Sequence, residues 1–296
     1  MNNELNIGFV GFGEAGYHLA RGLRGAGVTR LAAYDIHTHT PGRGERIRAR
    51  AAETEVVLCA SPEALANASD ILLSVVTANS AAEAAAQSAP YLQARHLYAD
   101  LNSVSPETKR TIHQTVTAAG ARFVEAAVMA PVPAQQGHRV QMLLGGAHAQ
   151  VFADLLVPYG MKLEVVSEQI GAAVAVKMCR SIVVKGLEAL LLECVLGATK
   201  YGVDERVFAS LEASWPGMNW SKLAGYCMSR VIEHGERRAR ELEEVAATLR
   251  AAGIEPLMAE AIVKRQDWGA QLGLKEHFDG KVPEDYRALA QAIQSS

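Results

Sequence analysis

One short segment restricts the fold of this chain more than any other. The apolar run Ile7-Gly8-Phe9-Val10 leads into GFGEAG, and a helix-like stretch of Ala, Leu and Arg follows. The glycines fall at Gly11, Gly13 and Gly16, a GxGxxG spacing between a strand and a helix. The first makes a tight turn, the second lets backbone approach a pyrophosphate, and the third lets helix pack closely on strand. The helix N-terminus adds N–H groups and a positive dipole end for phosphate. Phe12, Glu14 and Ala15 fill the turn and complete the candidate cofactor set at this point. Asp35 ends the next apolar run. A carboxylate there would hydrogen-bond the adenosine ribose and repel a 2′-phosphate, which favours NAD over NADP. Arg43, Arg46 and Arg48 follow, and would reverse that preference if the loop folds back over it.

The first half continues as short Val-, Ile- and Leu-rich runs separated by helical stretches. Strands are expected at 5–10, 30–35, 55–60, 70–76, 96–101, 122–129, 139–146 and 161–166, with helices such as 14–26, 62–67, 79–89, 106–119 and 148–157. Such alternation indicates a parallel sheet covered on both faces. From about residue 167 the pattern turns wholly helical, with helices expected at 170–200, 203–212, 218–233, 236–252 and 255–271. The expected architecture is α/β: a Rossmann-type doubly wound parallel sheet (1–167), then an all-α domain (168–296), joined by a long interdomain helix.

Bulk properties narrow the function classes. A net charge of -3 gives no reason to expect nucleic-acid binding. No stretch has the length and freedom from charge of a membrane span, and the N-terminus lacks the features of a signal peptide. The expectation is a cytoplasmic protein. Cys59, Cys179, Cys194 and Cys227 are scattered without a CxxC pair and are expected to be reduced, buried thiols. His37 and His39 sit together without a carboxylate or cysteine cluster, so no metal site is expected.

The segment 171–198 is apolar on nearly every face, and such a helix is normally buried all round. It nevertheless carries Lys177, Arg180, Lys185 and Glu188. Buried charges are paired, solvated by a cleft or kept for chemistry. Lys177 is the candidate acid/base. Its competing role is a structural ion partnered by Glu188, which is equally a candidate partner for Lys185. Lys185 and Arg180 are candidates to hold a distal anionic group of a substrate.

Several motifs in this order resemble the β-hydroxyacid dehydrogenases, a family that includes 6-phosphogluconate and 3-hydroxyisobutyrate dehydrogenases. The glycine turn is the first motif; the others are DLNSVSPET (100–108), FVEAAVMAPVPAQQG (123–137), LLGG (143–146), GAAVAVKMCRS (171–181) and RELEEVA (240–246). The resemblance implies a catalytic Lys177, with Ser181 where the family usually has Asn. The resemblance joins the rule that ligands bind at the C-terminal edge of such sheets, by which Asn102 and Ser103 border nicotinamide or substrate and Val76 and Thr77, ending another strand, meet cofactor ribose. It makes Val128, Met129 and Ala130 part of the substrate segment, where the usual Ser-Gly-Gly is replaced by Met129-Ala130-Pro131. Arg240 stands where a lysine is usual. The run HGERRARELEE (234–244) is similar to a phosphogluconate-dehydrogenase-like subgroup with a divergent C-terminal domain. His234, Arg237 and Arg240 there are candidate anion contacts, although ion pairs such as Arg237–Glu241 and Arg240–Glu244 on a solvated face would explain them equally.

The implied activity is hydride transfer between NAD(P) and a small anionic 3-hydroxy acid or its keto acid, in a homodimer paired through the helical domain. Two alternatives stay open. One is an imine reductase-like enzyme, whose relatives commonly replace the lysine. The other is a non-catalytic NAD(P)-binding sensor or scaffold.

Overall fold

The computed structural model describes residues 5–132 and 137–295. The chain forms two compact units, divided between Lys177 and Met178. The first contains β1 (Asn6–Val10), α1 (Glu14–Gly25), β2 (Arg30–Tyr34), α2 (Arg43–Glu53), β3 (Val57–Leu58), α3 (Pro62–Asn67), β4 (Ile71–Ser74), α4 (Ala81–Ser88), β5 (Leu97–Asp100), α5 (Pro106–Ala118), β6 (Arg122–Val128), β7 (Gln141–Gly145), α6 (Ala149–Leu156) and β8 (Lys162–Ser167). The first turn of α7 (Ala172–Lys200) also belongs to it.

The eight strands form one sheet in the order β3-β2-β1-β4-β5-β6-β7-β8. Successive residues of a strand point to opposite faces, and the two core layers divide accordingly. Phe9, Leu73, Ala99 and Val124 join one cluster with Leu19, Leu23 and Phe152. Val10, Leu72, Tyr98 and Phe123 join the other with Ile112 and Val116. Burial on both faces is why these strands read as continuous apolar runs.

The expected all-parallel sheet needs one correction. β6 and β7 pair antiparallel, with Ala126 opposite Leu144, while every other neighbouring pair is parallel. A parallel crossover usually carries a helix. Between β6 and β7 the described residues hold only a 3-10 turn at Gly137–Arg139, and the chain reverses.

The second unit holds the rest of α7 with α8 (Asp204–Ser214), α9 (Trp220–Ala251), α10 (Leu257–Gln271), α11 (Leu274–His277) and α12 (Tyr286–Ser295). Its core gathers Leu192 and Val195 of α7, Met228 and Val231 of α9, and Leu289 and Ile293 of α12. The two helices expected at 218–233 and 236–252 are one, α9. Gly235 lies inside it, and a mid-helix glycine costs only about 1 kcal/mol relative to alanine. That cost is offset by packing: a Cβ on Gly235 would lie 2.4 Å from the Gln266 carbonyl oxygen, so the glycine lets α10 approach.

Two further expectations are corrected. α7 is not buried all round, since Val183 is 68% and Leu190 57% exposed. Of the four free cysteines only Cys227 is buried, while Cys179 is exposed. Among the described residues no helix is long and apolar enough to cross a membrane, and no cluster of three or more His, Cys, Asp or Glu is placed to hold a metal.

Candidate functional site

The strand order reverses between β1 and β4, the place where open α/β sheets bind ligands at their carboxyl ends. A cavity of about 570 Å³ lies there. It is lined by Gly11, Gly13, Glu14 and Ala15 after β1, by Asp35 after β2, and by Val76 and Thr77 after β4. Phe12, Gly16 and Asn102, expected in the same set, are placed differently. The Phe12 ring is wholly buried in the core, while its N–H donates to Asp35 Oδ2 at 2.8 Å. Gly16 packs against the turn, where a Cβ would lie 3.1 Å from the Gly11 carbonyl oxygen.

The three glycines therefore do separate work. Gly11 has φ +87°, and a Cβ there would come 2.7 Å from Val76 Cγ1. Gly13 has no protein atom within 4 Å of an added Cβ. Its missing side chain serves no contact within the protein; it leaves open the space beside the first turn of α1, which no side chain caps. A pyrophosphate against those N–H groups fits this cradle. Gly13→Ala is accordingly expected to melt at or slightly above the wild-type temperature, because alanine narrows the unfolded ensemble. Its NADH dissociation constant should rise at least about tenfold. Gly11→Ala should lose both stability and binding. Thermal melts alongside NADH fluorescence titrations separate the two, and unimpaired binding by Gly13→Ala would remove the glycine from the site.

Asp35 is held by two backbone donors, Phe12 N–H and His37 N–H, each at 2.8 Å. The arginines expected on a loop after Asp35 lie instead on α2, and Arg50, absent from the sequence candidates, joins Arg43 and Arg46 there. Arg43, Arg46 and Arg50 recur at helical spacing and line the cavity together with Asp35. The signal was present in RGERIRAR, whose single strong apolar residue, Ile47, faces the core. Arg48 turns elsewhere and donates to the Thr38 carbonyl oxygen at 2.5 Å.

Beneath Val76 and Thr77 lies a buried polar network. Asn102 is 3% exposed. Its Oδ1 accepts from Val76 N–H at 2.8 Å, and its Nδ2 donates to Ser74 Oγ at 2.9 Å and to Asp100. Asn102 thus holds the cavity wall from below rather than lining it. Asp100 also accepts from Lys109 Nζ at 2.7 Å, and both side chains are 0% exposed. Lys109 had no place among the sequence candidates.

On the substrate side, Ser103 is half-buried in the loop after β5. Val128 and Met129 are half-buried and Ala130 is exposed at the end of β6, where Met129 N–H donates to the Gln141 carbonyl oxygen at 3.0 Å. Residues 133–136 of that segment lie outside the described residues. Lys177 and Ser181 are half-buried and Arg180 is exposed on α7.

Within the helical unit the candidate anion contacts are engaged in ion pairs. Lys185 Nζ lies 2.7 Å from Glu241 Oε2. Burial holds the Lys185 amine below the usual lysine range, against the opposing pull of Glu241. Glu188 partners Arg238 at 2.6 Å and Gln266 at 2.9 Å, and burial raises its carboxyl above the usual range. Arg237 pairs with Glu241, the same carboxylate that Lys185 meets. Arg240 pairs with Glu243 and Asp267. His234 is half-buried beside Glu233, and its pKa is lowered first by burial and then by Arg230.

Comparison with known proteins agrees with this geometry. Residues 6–161 match the family model described as the NAD binding domain of 6-phosphogluconate dehydrogenase. Residues 198–269 match a domain of unknown function. A conserved hypothetical protein from Sinorhizobium meliloti is 36% identical, with TM-score 0.84 over 99% of this chain and 97% of its own. The conserved protein MTH1747, whose structure was described as similar to 3-hydroxyacid dehydrogenases, is 29% identical, with TM-score 0.77 over 97% and 99% of the two chains. The mitochondrial 3-hydroxyisobutyrate dehydrogenase of Drosophila melanogaster is 26% identical over 73% of this chain and 65% of its own length. A nucleotide-binding sheet of this topology, followed by a helical domain, defines the class. The chain belongs to the β-hydroxyacid dehydrogenase family, with a divergent C-terminal domain.

Proposed function

We propose that this chain is an NAD(P)-dependent oxidoreductase acting on a small anionic 3-hydroxy acid or the corresponding keto acid, with Lys177 as general acid/base. The observation that carries the reading is the cavity above Gly11 and Gly13, kept open beside an uncapped helix N-terminus in a chain of this family. Gly13, Glu14 and Ala15 would hold the pyrophosphate, Asp35 the adenosine ribose, and Val76 and Thr77 the wall beyond it. The nicotinamide, when bound, supplies hydride exchange with the carbon bearing the hydroxyl. Lys177 takes the hydroxyl proton during oxidation and returns it during reduction. Ser181, four residues on, lies on the same helix face and orients the amine.

Asp35 favours NAD, while Arg43, Arg46 and Arg50 offer a 2′-phosphate its countercharge from the same cavity. The preferred cofactor is therefore read from the ratio of the two dissociation constants, with NAD expected to bind more tightly. The apolar exposed face of α7, with Val183 and Leu190, supports a homodimer paired through the helical domain, which sedimentation of the purified protein measures directly.

The decisive assay follows nicotinamide absorbance with NAD+ and NADP+ separately across a panel of 3-hydroxy acids. Turnover of one substrate class is the expected result. Tight NADH binding with silence across hydroxy acids, keto acids and imines would replace the enzyme by a nucleotide sensor.

A further inference from the structure

The first turn of α7 is held by a residue from the sheet. Glu125 lies in the middle of β6 at 0% exposure, an uncommon place for a carboxylate. Its two oxygens accept from the backbone N–H groups of Gly171 and Val174, the second at 2.5 Å. Gly171 precedes the first helical residue, Ala172, and its carbonyl accepts the first helical bond from Ala175 N–H at 3.0 Å. Gly171 is thus the N-cap and Val174 the third helical position. In an ordinary capping box these two N–H groups are satisfied by side chains of the N-cap and third residues themselves. Glycine and valine have no side chain able to do so, and Glu125 supplies both bonds from another element.

The surroundings are shaped for that carboxylate. Gly145 sits opposite Glu125 on β7, and a Cβ there would lie 3.2 Å from Glu125 Oε2 and 3.3 Å from the Gln169 carbonyl oxygen. Gly146 makes room for Ile170, whose Cδ1 would lie 2.8 Å from an added Cβ. Gly171 has φ +99° and lies against Pro106 at the start of α5. The LLGG and Gly-x5-Lys segments are therefore two sides of one joint, with Glu125 at its centre. Lys177 follows Val174 by less than one helical turn on the same rigid rod.

We infer that Glu125 is a positioning residue: its carboxylate fixes the first turn of α7 to the sheet and so sets where the Lys177 amine stands. This rests on the reading of Lys177 as the acid/base. A proton-transfer group must sit within hydrogen-bond reach of its target, and small misplacements lower the chemical rate far more than cofactor affinity. The dinucleotide cavity lies over β1 and β4, away from β6 in the sheet order, so its affinity should not follow the change.

The experiment compares wild-type protein with Glu125→Gln, which keeps shape but removes the charge and places an NH2 group against one of the two donors. Gly145→Ala is the second variant; it crowds the carboxylate without removing it and covers failure of the first to fold. Three quantities are read: the NADH dissociation constant, kcat with KM, and the rate at which an amine-acylating reagent labels Lys177, followed by peptide mass spectrometry. Expected are an unchanged NADH dissociation constant, a kcat lower by about 10- to 100-fold, and faster Lys177 labelling as the turn loosens. Unchanged labelling, or faster labelling with unchanged kcat, overturns the proposal. A kcat loss that merely tracks weaker NADH binding does so too. Should Lys177→Ala itself retain turnover, it is the Lys177 reading that fails, and the labelling rate alone then decides whether Glu125 holds the turn.

Discussion

Lys109→Ala is expected to destabilise the nucleotide-binding unit by about 3–5 kcal/mol, the usual cost of breaking a buried ion pair. Lys109 and Asp100 are both 0% exposed, and the ammonium donates to the Asp100 carboxylate and main-chain carbonyl, each at 2.7 Å. Truncation leaves the carboxylate without its countercharge and in a place water cannot reach. The loss should spread, because Asp100 also accepts from Asn102, which accepts from Val76 N–H in the cavity wall. Urea denaturation reads the stability, and NADH titration of the folded fraction reads the wall. The double variant Lys109→Met with Asp100→Asn supplies the contrast. It removes both charges, keeps an acceptor for Asn102, and should recover a substantial part of the lost stability, since a buried pair is worth little against a neutral replacement. A loss below about 1 kcal/mol for Lys109→Ala would place the pair in the range of solvent-exposed ion pairs and refute the argument.

That network also marks the limit of what the chain discloses as a string of residues. The glycine turn and Asp35 were legible because one bound molecule imposes residue types at fixed spacings along one strand, turn and helix. The strands were legible because burial on two faces writes itself as uninterrupted apolar runs. Lys109 offered no such pattern. On the amphipathic α5 a lysine reads as a solvated residue, and only the fold folds it back beneath Asp100. Asn102 was recognisable as important but not as support, because its engagement depends on Ser74 and Val76 in the neighbouring strand. On α2, Arg43 and Arg46 were singled out but expected on a loop, and Arg50 was not, because a buried side of only Gly44, Ile47 and Ala51 hides the helix that carries all three. In α9 the two helices expected at 218–233 and 236–252 are one, and Gly235 between them is used by tertiary packing to admit α10. In each case the missing information was a contact between elements distant in the chain.

Lys177→Ala is expected to lower kcat by about 10²–10⁴-fold, the range for losing a positioned general acid or base. NADH affinity should stay near the wild-type value, because the residues proposed to hold the dinucleotide lie on the turns after β1, β2 and β4. Alanine alone does not separate proton transfer from simple attraction of an anionic substrate, since both vanish with the amine. Lys177→Arg does separate them. Arginine keeps the positive charge but stays protonated at any accessible pH, so it cannot act as the base. A charge-binding role predicts that arginine restores much of the activity lost with alanine. A proton-transfer role predicts that arginine restores substrate affinity while kcat stays low. Single-turnover absorbance at the nicotinamide band, with substrate saturating, measures the chemical step apart from product release. Recovery of kcat by Lys177→Arg would assign the proton to another group. A low kcat in both variants, with KM restored only in arginine, leaves Lys177 as the residue that exchanges the hydroxyl proton.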